Sequence, residues 1–420
     1  MHLVFVTSLV PVQNPVSGFA IANRAVFEGL VALGHRVSVL GFAEAADRPL
    51  ATADLHLLGR MDVTNAKVGR ARKARWFLTA IAAGLPISVA KMRAVSEATL
   101  KDELASLDPI DGLVLNSVQL PGAFIDHFQT YPTVYVAHNV EAGTARENAA
   151  RARGLVSRLL FSREARLLAG IETRLTAQAD WVFTFSEEDR FGFGPAVAAK
   201  SSCLPLVTRW DAPDALPQVA SRYDLGLIGT WSWEANRIGL DWFVNAVVPL
   251  LPPHLTIAVA GQIAVPPVST HPGLSFVGRV ADAGEFLASV RLVPLIARAG
   301  SGVQLKTIET FERGLPCVAT PASVRGIDAL PSFCRLADTP EAFAAAILSV
   351  LAGTDLSADA EAGRHFHSAQ KARLQAVLGD GLAHLGQPAD RRAAALQLST
   401  SPAASASGVS FATPAPFGGQ

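Results

Sequence analysis

Leu3-Val-Phe-Val-Thr-Ser-Leu9 is followed by the amphipathic stretch Gly18–Leu33, the stop Gly34-His35 and a second apolar run, Arg36-Val-Ser-Val-Leu-Gly41. Apolar strands that do not alternate, separated by helical periodicity, belong to a parallel sheet covered on both faces. Working outward, the rhythm returns at Gly112–Leu115, Thr133–Ala137 and Trp181–Ser186, with an Arg-rich helical region, Glu141–Gln178, between the last two. Leu204–Arg222 carries Pro205, Pro213 and Pro217 without a clear period and reads as a linker. Beyond it the pattern restarts. Strands are expected at Tyr223–Gly229, Leu255–Gly261, Leu274–Val277, Arg291–Ile296 and Cys317–Thr320, with helices at Ile238–Val248 and Leu305–Arg313. The economical account is α/β: two doubly wound, Rossmann-like domains joined by a linker.

The chain has 420 residues, enough for two or three domains at roughly 150 residues each. Lys plus Arg and Asp plus Glu are 36 each, which excludes a strongly basic nucleic-acid binder and a disordered acidic chain. Cys203, Cys317 and Cys334 are far apart, without CxxC or zinc spacing, and read as reduced core residues of a cytoplasmic protein. The apolar start lacks a basic region and a cleavage site, so a first strand is expected rather than a signal peptide. Trp76–Ala90 is uncharged but has 15 residues, too short for the ~20 that a bilayer span needs. Just before it, Lys67, Arg70, Arg72, Lys73 and Arg75 lead into Trp76-Phe77-Leu78. Such a segment either lies on an anionic membrane surface or packs as a helix with a solvated basic face, the second being the more ordinary use.

Two decoys and one signal lie in the second half. Gly300-Ser-Gly-Val-Gln-Leu-Lys-Thr307 fails as a phosphate loop and as GxGxxG, because Leu305 stands where each needs glycine. What remains is a Gly300-Ser301-Gly302 turn between a strand and a helix, whose N–H groups and dipole suit a phosphate. Lys306 and Glu309 lie three apart on that helix: one can neutralise phosphate and the other can bind a vicinal diol, or they can form a surface ion pair. Glu312, one turn on, is expected to tolerate change. Asp-x-Asp and GxSxG are both missing from the sequence, which argues against a metal-dependent single-domain transferase and a nucleophile-elbow hydrolase. In Tyr135-Val-Ala-His138-Asn-Val-Glu141, His138 sits just past a buried strand, at the end that faces the crevice of doubly wound folds.

Taken together these residues resemble the GT-B glycosyltransferases, specifically the retaining family 4 group. The resemblance runs over roughly residues 1–385. It is carried by Pro15-Val-Ser-Gly18-Phe-Ala, His138-Asn-Val-Glu141, Gly229-Thr-Trp-Ser-Trp-Glu-Ala-Asn236 and Gly300-Ser-Gly302. Its densest part is Leu305-Lys-Thr-Ile-Glu309-Thr-Phe-Glu-Arg-Gly314-Leu-Pro316. It implies an acceptor-binding domain over 1–205, a linker over 206–222 and a nucleotide-sugar domain over 223–387, facing each other across a cleft. The last helices are able to pack back on the first domain.

The resemblance further implies a cytoplasmic, metal-independent glycosyltransferase without a cofactor, able to act at the inner face of the membrane. It would move a sugar from a nucleotide-diphospho-sugar to a saccharide or lipid-linked acceptor, with retention, in cell-surface polysaccharide or glycolipid synthesis. No nucleic acid and no metal site enter this reading. His138 matches the family's histidine facing the donor sugar. Gly18, Asn236, Arg237, Gly300, Ser301, Gly302, Lys306 and Glu309 fall at donor-binding places. Glu309 matches the second glutamate of the family's E-x7-E motif, but Ser301 replaces the first. Thr230 and Asn236 stand near the places of a missing Arg and Lys. Those departures keep two rivals open: a nucleotide-sugar epimerase of the same fold and a non-catalytic GT-B-like binding subunit.

Residues 388–420 are expected to be a disordered tail, since Ser399–Gln420 holds 18 Ala, Ser, Thr, Pro or Gly and no charge. Deleting Ser399–Gln420 should leave the melting temperature unchanged in calorimetry. A large drop would mean that the tail docks.

Overall fold

Seven parallel strands form the first sheet: β1 (His2–Leu9), β2 (Arg36–Ala43), β3 (Leu55–Arg60), β4 (Gly112–Asn116), β5 (Thr133–Ala137), β6 (Trp181–Thr184) and β7 (Ser201–Cys203), in the order β3-β2-β1-β4-β5-β6-β7. The computed structural model describes residues 1–45, 47–51, 54–62, 68–152, 154–212, 221–300, 302–353 and 359–387. Six more strands, β8 (Tyr223–Ile228), β9 (Ile257–Ala260), β10 (Leu274–Gly278), β11 (Val290–Leu295), β12 (Cys317–Ala319) and β13 (Cys334–Leu336), build a second sheet in the order β10-β9-β8-β11-β12-β13. In both sheets the strand order reverses beside the first strand, between β1 and its parallel neighbour β4 and between β8 and its parallel neighbour β11. That switch point is where doubly wound folds place ligands. Residues Met1–Gly386 form one compact unit.

The helices that position the cleft are α1 (Gly18–Ala32), α2 (Arg70–Ala82), α3 (Glu141–Arg151), α4 (Leu155–Gln178), α5 (Glu234–Trp242), α6 (Leu305–Glu312) and α7 (Ala360–Leu382). Helix α1 starts where the Ser17 hydroxyl accepts from the Ala20 N–H at 3.2 Å, and ends before Gly34 at φ 81°. The helical region expected over 141–178 is two helices, turned at Gly154, whose φ of 108° suits glycine. Helix α5 starts earlier than its apolar period suggested, at Glu234. The edge strands β3, β7 and β13 were not expected: β7 and β13 have three residues each, and β3, Leu-His-Leu-Leu-Gly-Arg, is only partly buried.

Part of the expected linker is core. Leu206 and Val207 are buried, and the Thr208 N–H donates to Glu312 at 3.0 Å. The rest of that stretch over 213–220, the expected tail, Lys67 and Ser301 lie outside the described residues. Cys317 and Cys334, far apart in sequence, are register partners on β12 and β13, both buried and free, while Cys203 is only half-buried and burial pushes its thiol up to about 12.

One hydrophobic cluster runs through both sheets. It joins Phe5, Val26 and Leu30 of the first to Val293, Ile308 and Phe311 of the second through Phe366, Leu374, Leu378 and Leu382 of α7. Helix α7 gets this close because it carries glycines at its contacts. A Cβ at Gly363 would lie 2.6 Å from the Glu312 carbonyl oxygen, and one at Gly381 would lie 2.2 Å from the Phe183 ring. Gly381→Ala should therefore destabilise the fold by about 1–3 kcal/mol, the usual range for overpacking. Gly170→Ala, inside α4 with open space around it, should stabilise by about 0.5–1 kcal/mol. Denaturant titration reads both. A Gly381→Ala protein at or above parental stability would show that this contact does not hold α7.

Candidate functional site

The strand ends of both sheets line one cleft of about 940 Å³. From the first sheet come Ser8, Ser117, His138 and Glu141; from the second come Gly229, Thr230, Asn236, Gly302 and Lys306. Gly18 also lines it, and a Cβ there would touch Leu305 at 3.3 Å. Of the residues picked out from sequence, Gly18, His138, Asn236, Gly302 and Lys306 thus meet at one place.

His138 follows the last residue of β5. Phe19 stacks on its ring at 4.8 Å and Phe185 meets it edge-on at 5.0 Å. This dry setting pulls its pKa down to about 3, so the imidazole is neutral at any physiological pH. Behind it runs a chain of side chains. The Asn116 amide donates to Asn23 Oδ1 at 2.9 Å, and the Asn23 amide donates to the Leu9 carbonyl at 2.7 Å. The Asn116 Oδ1 is thereby an acceptor, and it lies 3.0 Å from His138 Nε2. The proton sits on Nε2, and Nδ1 keeps its lone pair. Asn116 was not foreseen, although a polar residue ending the apolar strand Gly112–Asn116 carries the same signal that marked His138. Ser117 follows it at φ 71°, a left-handed conformation rare outside glycine, and its hydroxyl lies 3.1 Å from that of Ser8.

Across the cleft, the turn before α6 needs its glycines: Gly300 has φ 95° and Gly302 has φ 81°. Asn139 Oδ1 of the first sheet's side would lie 3.4 Å from a Cβ at Gly302. Gln304 precedes α6 without a side-chain cap, so the first N–H groups of the helix stay open to a ligand. Lys306 stands on that first turn. Its Nζ lies 3.4 Å from Asn236 Oδ1 and 5.9 Å from the Trp231 ring centre, and it pairs with no carboxylate among the described residues. Burial lowers its pKa to about 8. A desolvated ammonium beside an uncapped helix start is an anion site.

Four of the sequence expectations need correction. Arg237 does not reach the cleft: its guanidinium is held by Asp241 at 2.8 Å and by the Val265 carbonyl, because α5 turns that side outward. Lys306 and Glu309 do not pair. Glu309 Oε1 instead takes Arg313 at 3.0 Å and Arg209 at 3.9 Å, while the residue borders a small recess shared with Lys306 and Trp231. Glu312 is no exposed control. It is buried, accepts from the Thr208 N–H and hydroxyl, and lies 3.1 Å from His367 Nδ1. Gly300 shapes the turn without lining the cleft, its carbonyl held by Arg325.

Acidic groups that sequence reading passed over sit near His138. Glu141 lines the cleft, and burial raises its pKa. Glu172 of α4 accepts from the N–H groups of Glu141 at 2.6 Å and Ala142 at 3.2 Å. Burial outweighs those bonds and lifts it to about 7.

Residues 222–353 match the family model of glycosyl transferases group 1. Compared by sequence with curated proteins, the chain has no match. Solved structures are similar in fold. WaaG, a glycosyltransferase involved in lipopolysaccharide biosynthesis, aligns with a TM-score of 0.53 at 18% identity, over 92% of this chain and 100% of that one. Sucrose-phosphate synthase from Thermosynechococcus elongatus aligns with 0.55 at 14% identity, over 95% and 100%. HepE from Anabaena, in complex with UDP and glucose, aligns with 0.53 at 12% identity, over 92% and 100%. The chain therefore has the GT-B fold expected of it, and residues 222–353 resemble glycosyl transferases group 1.

The state of Lys306 sets a pH dependence. An amine with a pKa of about 8 must be charged to hold an anion, so affinity for inorganic pyrophosphate measured by calorimetry should fall as pH rises through 8. Stability should move the other way. Between about 8 and the ordinary 10.5 the unfolded chain binds more protons than the folded one, so folding gains as pH rises. Lys306→Met should weaken binding and flatten its pH profile. A profile unchanged by that substitution would remove Lys306 from the site.

Proposed function

We propose that this glycosyltransferase moves a sugar from a nucleotide-diphospho-sugar to an acceptor hydroxyl with retention, in the manner of the family 4 group, and without a metal. One observation carries the reading: the desolvated, carboxylate-free Lys306 at the open start of α6, facing His138 across the cleft. Lys306 and the N–H groups of α6 receive the diphosphate, so its charge is met by the chain itself. Glu309 Oε2, left over by the two arginines on Oε1, takes the ribose hydroxyls one turn further along. His138 Nδ1 accepts a hydrogen bond from a hydroxyl of the donor sugar.

In the transfer the bond from C1 to the phosphate oxygen breaks, and the acceptor oxygen bonds C1 on the same face. The acceptor proton goes to the departing diphosphate. With a pKa of about 3, His138 positions the sugar and does not shuttle that proton. A saccharide or lipid-linked acceptor is the acceptor class, in keeping with the involvement of WaaG in lipopolysaccharide biosynthesis. The complexes of HepE with UDP and with UDP-glucose put UDP-sugars first among the donors to try.

A thermal-shift screen of UDP-, GDP-, ADP- and dTDP-sugars finds the donor, since a ligand at 100 times its Kd adds about 2.7 kcal/mol to apparent stability. Product formation with acceptor then separates a transferase from its rivals. An epimerase interconverts donors without acceptor, and a binding subunit does neither. Glu309→Gln should raise the donor Kd about tenfold, the loss of one charge-assisted contact, while the same change at the exposed Glu361 should not. Equal, negligible effects would leave Glu309 a surface carboxylate paired with Arg313.

A further inference from the structure

Helix α2 buries only Trp76 and Ala80. Phe77, Leu78 and Ile81 point out of the fold, Leu78 being 67% exposed. A second apolar group, Leu155, Val156 and Leu159, stands on the first turns of α4, with Val156 82% exposed. The two helices are joined through Arg163. Arg163 lies one turn beyond Leu159 on the same stripe of α4, and its guanidinium donates to the carbonyls of Ala80 at 2.9 Å and Leu85 at 3.2 Å.

Arg93, Arg151 and Arg163 pair with Glu97, Glu147 and Glu164, yet the sequence around this face is rich in cations. Between residues 63 and 96 the sequence holds Lys67, Arg70, Arg72, Lys73, Arg75, Lys91 and Arg93 and not one acidic residue. From 148 to 163 it holds Arg151, Arg153, Arg158 and Arg163, again without an acid. Arg70, Arg72, Lys73, Arg75 and Arg158 are exposed. In a chain of zero net charge such a concentration of cations is local.

The face also stands on the cleft side. Glu172 binds the first N–H groups of α3, which levels it with the His138 end of β5. From Glu172 back to Leu155 the helix rises about 25 Å, at ~1.5 Å per residue. The tip of the α3–α4 hairpin thus reaches past the strand ends that line the cleft. No helix among the described residues is long and apolar enough to cross a membrane.

We propose that the outer face of α2 and the tip of the α3–α4 hairpin dock on the surface of an anionic lipid bilayer. The apolar groups enter the boundary between headgroups and chains, and the arginines and lysines meet the lipid charge. On the transferase reading above, the cleft mouth then faces a lipid-linked acceptor; docking itself does not depend on that reading.

The test is co-sedimentation of the full chain with phosphatidylcholine vesicles, with and without phosphatidylglycerol. The parent should bind the anionic vesicles, less so at high salt. Changing Arg70, Arg72 and Lys73 together to Ser should weaken binding about a hundredfold, near fivefold per cation. Leu155→Ser with Leu159→Ser should weaken it at every salt concentration. Each variant's donor-induced thermal shift is measured beside it. An unaltered shift with lost vesicle binding supports docking, whereas a lost shift in the parent concerns the donor site alone. A parent that ignores anionic vesicles, or variants that bind as it does, overturns the proposal. So does a dimer in sedimentation velocity that these substitutions dissolve, for a second copy would then cover the face.

Discussion

Everything about the cleft depends on how α7 is seated. Its Leu374 and Leu378 are fully buried, and each such side chain contributes on the order of 1.5–3 kcal/mol. Their position is set by what the helix lacks: side chains at 363 and 381. With Gly363 against the end of α6 and Gly381 against Phe183, the helix lies close to both sheets at once. A buried carboxylate completes the joint. Glu312, on α6, takes the Thr208 N–H from the crossing segment and lies against His367 of α7, whose other ring nitrogen is 3.3 Å from the Trp210 carbonyl. The helix proposed to carry the phosphate at its start is therefore tied at its end to both chain segments that pass between the sheets. Losing one partner would leave Glu312 buried without enough donors, the costly case for such groups.

The same economy of water explains the charges of the cleft. Burial alone makes His138 neutral, makes Lys306 a weaker base and keeps Glu172 a weaker acid. None of these follows from residue type, and each sharpens what its owner does. A neutral histidine with its Nε2 proton committed to Asn116 presents one acceptor in one direction. A half-buried lysine with no carboxylate partner among the described residues gains more from an anion than a fully solvated one does.

The sequence made the fold legible because buried parallel strands are apolar throughout and keep their register with neighbours; β5 occupies the expected Thr133–Ala137 residue for residue. His138 and the Gly300–Gly302 turn were legible for a related reason, as polar or flexible residues placed where an apolar strand stops. What escaped was whatever depends on distance between segments far apart in the chain. Nothing local to Arg237 tells that Asp241 and the Val265 carbonyl take its guanidinium. Likewise Glu312 looks like any helix-surface carboxylate until Thr208, 104 residues earlier, is brought against it. Asn116 is polar at the end of an apolar strand but carries no titratable group, so its role shows only once His138 and Asn23 are brought against it.

The two ends of the cleft are held with different strength, and this bears on how a donor gets in. At one end α7 fastens the sheets through buried side chains and the Glu312 joint. At the other, Arg325 meets Glu188 at 3.0 Å, with the glutamate more than half exposed, and Gly302 approaches Asn139 without a bond. An exposed ion pair of that kind is worth about 0–1 kcal/mol, whereas separating α7 from either sheet costs several buried leucines. The Gly302 side is therefore the weaker of the two joints, and opening the cleft there would cost the least.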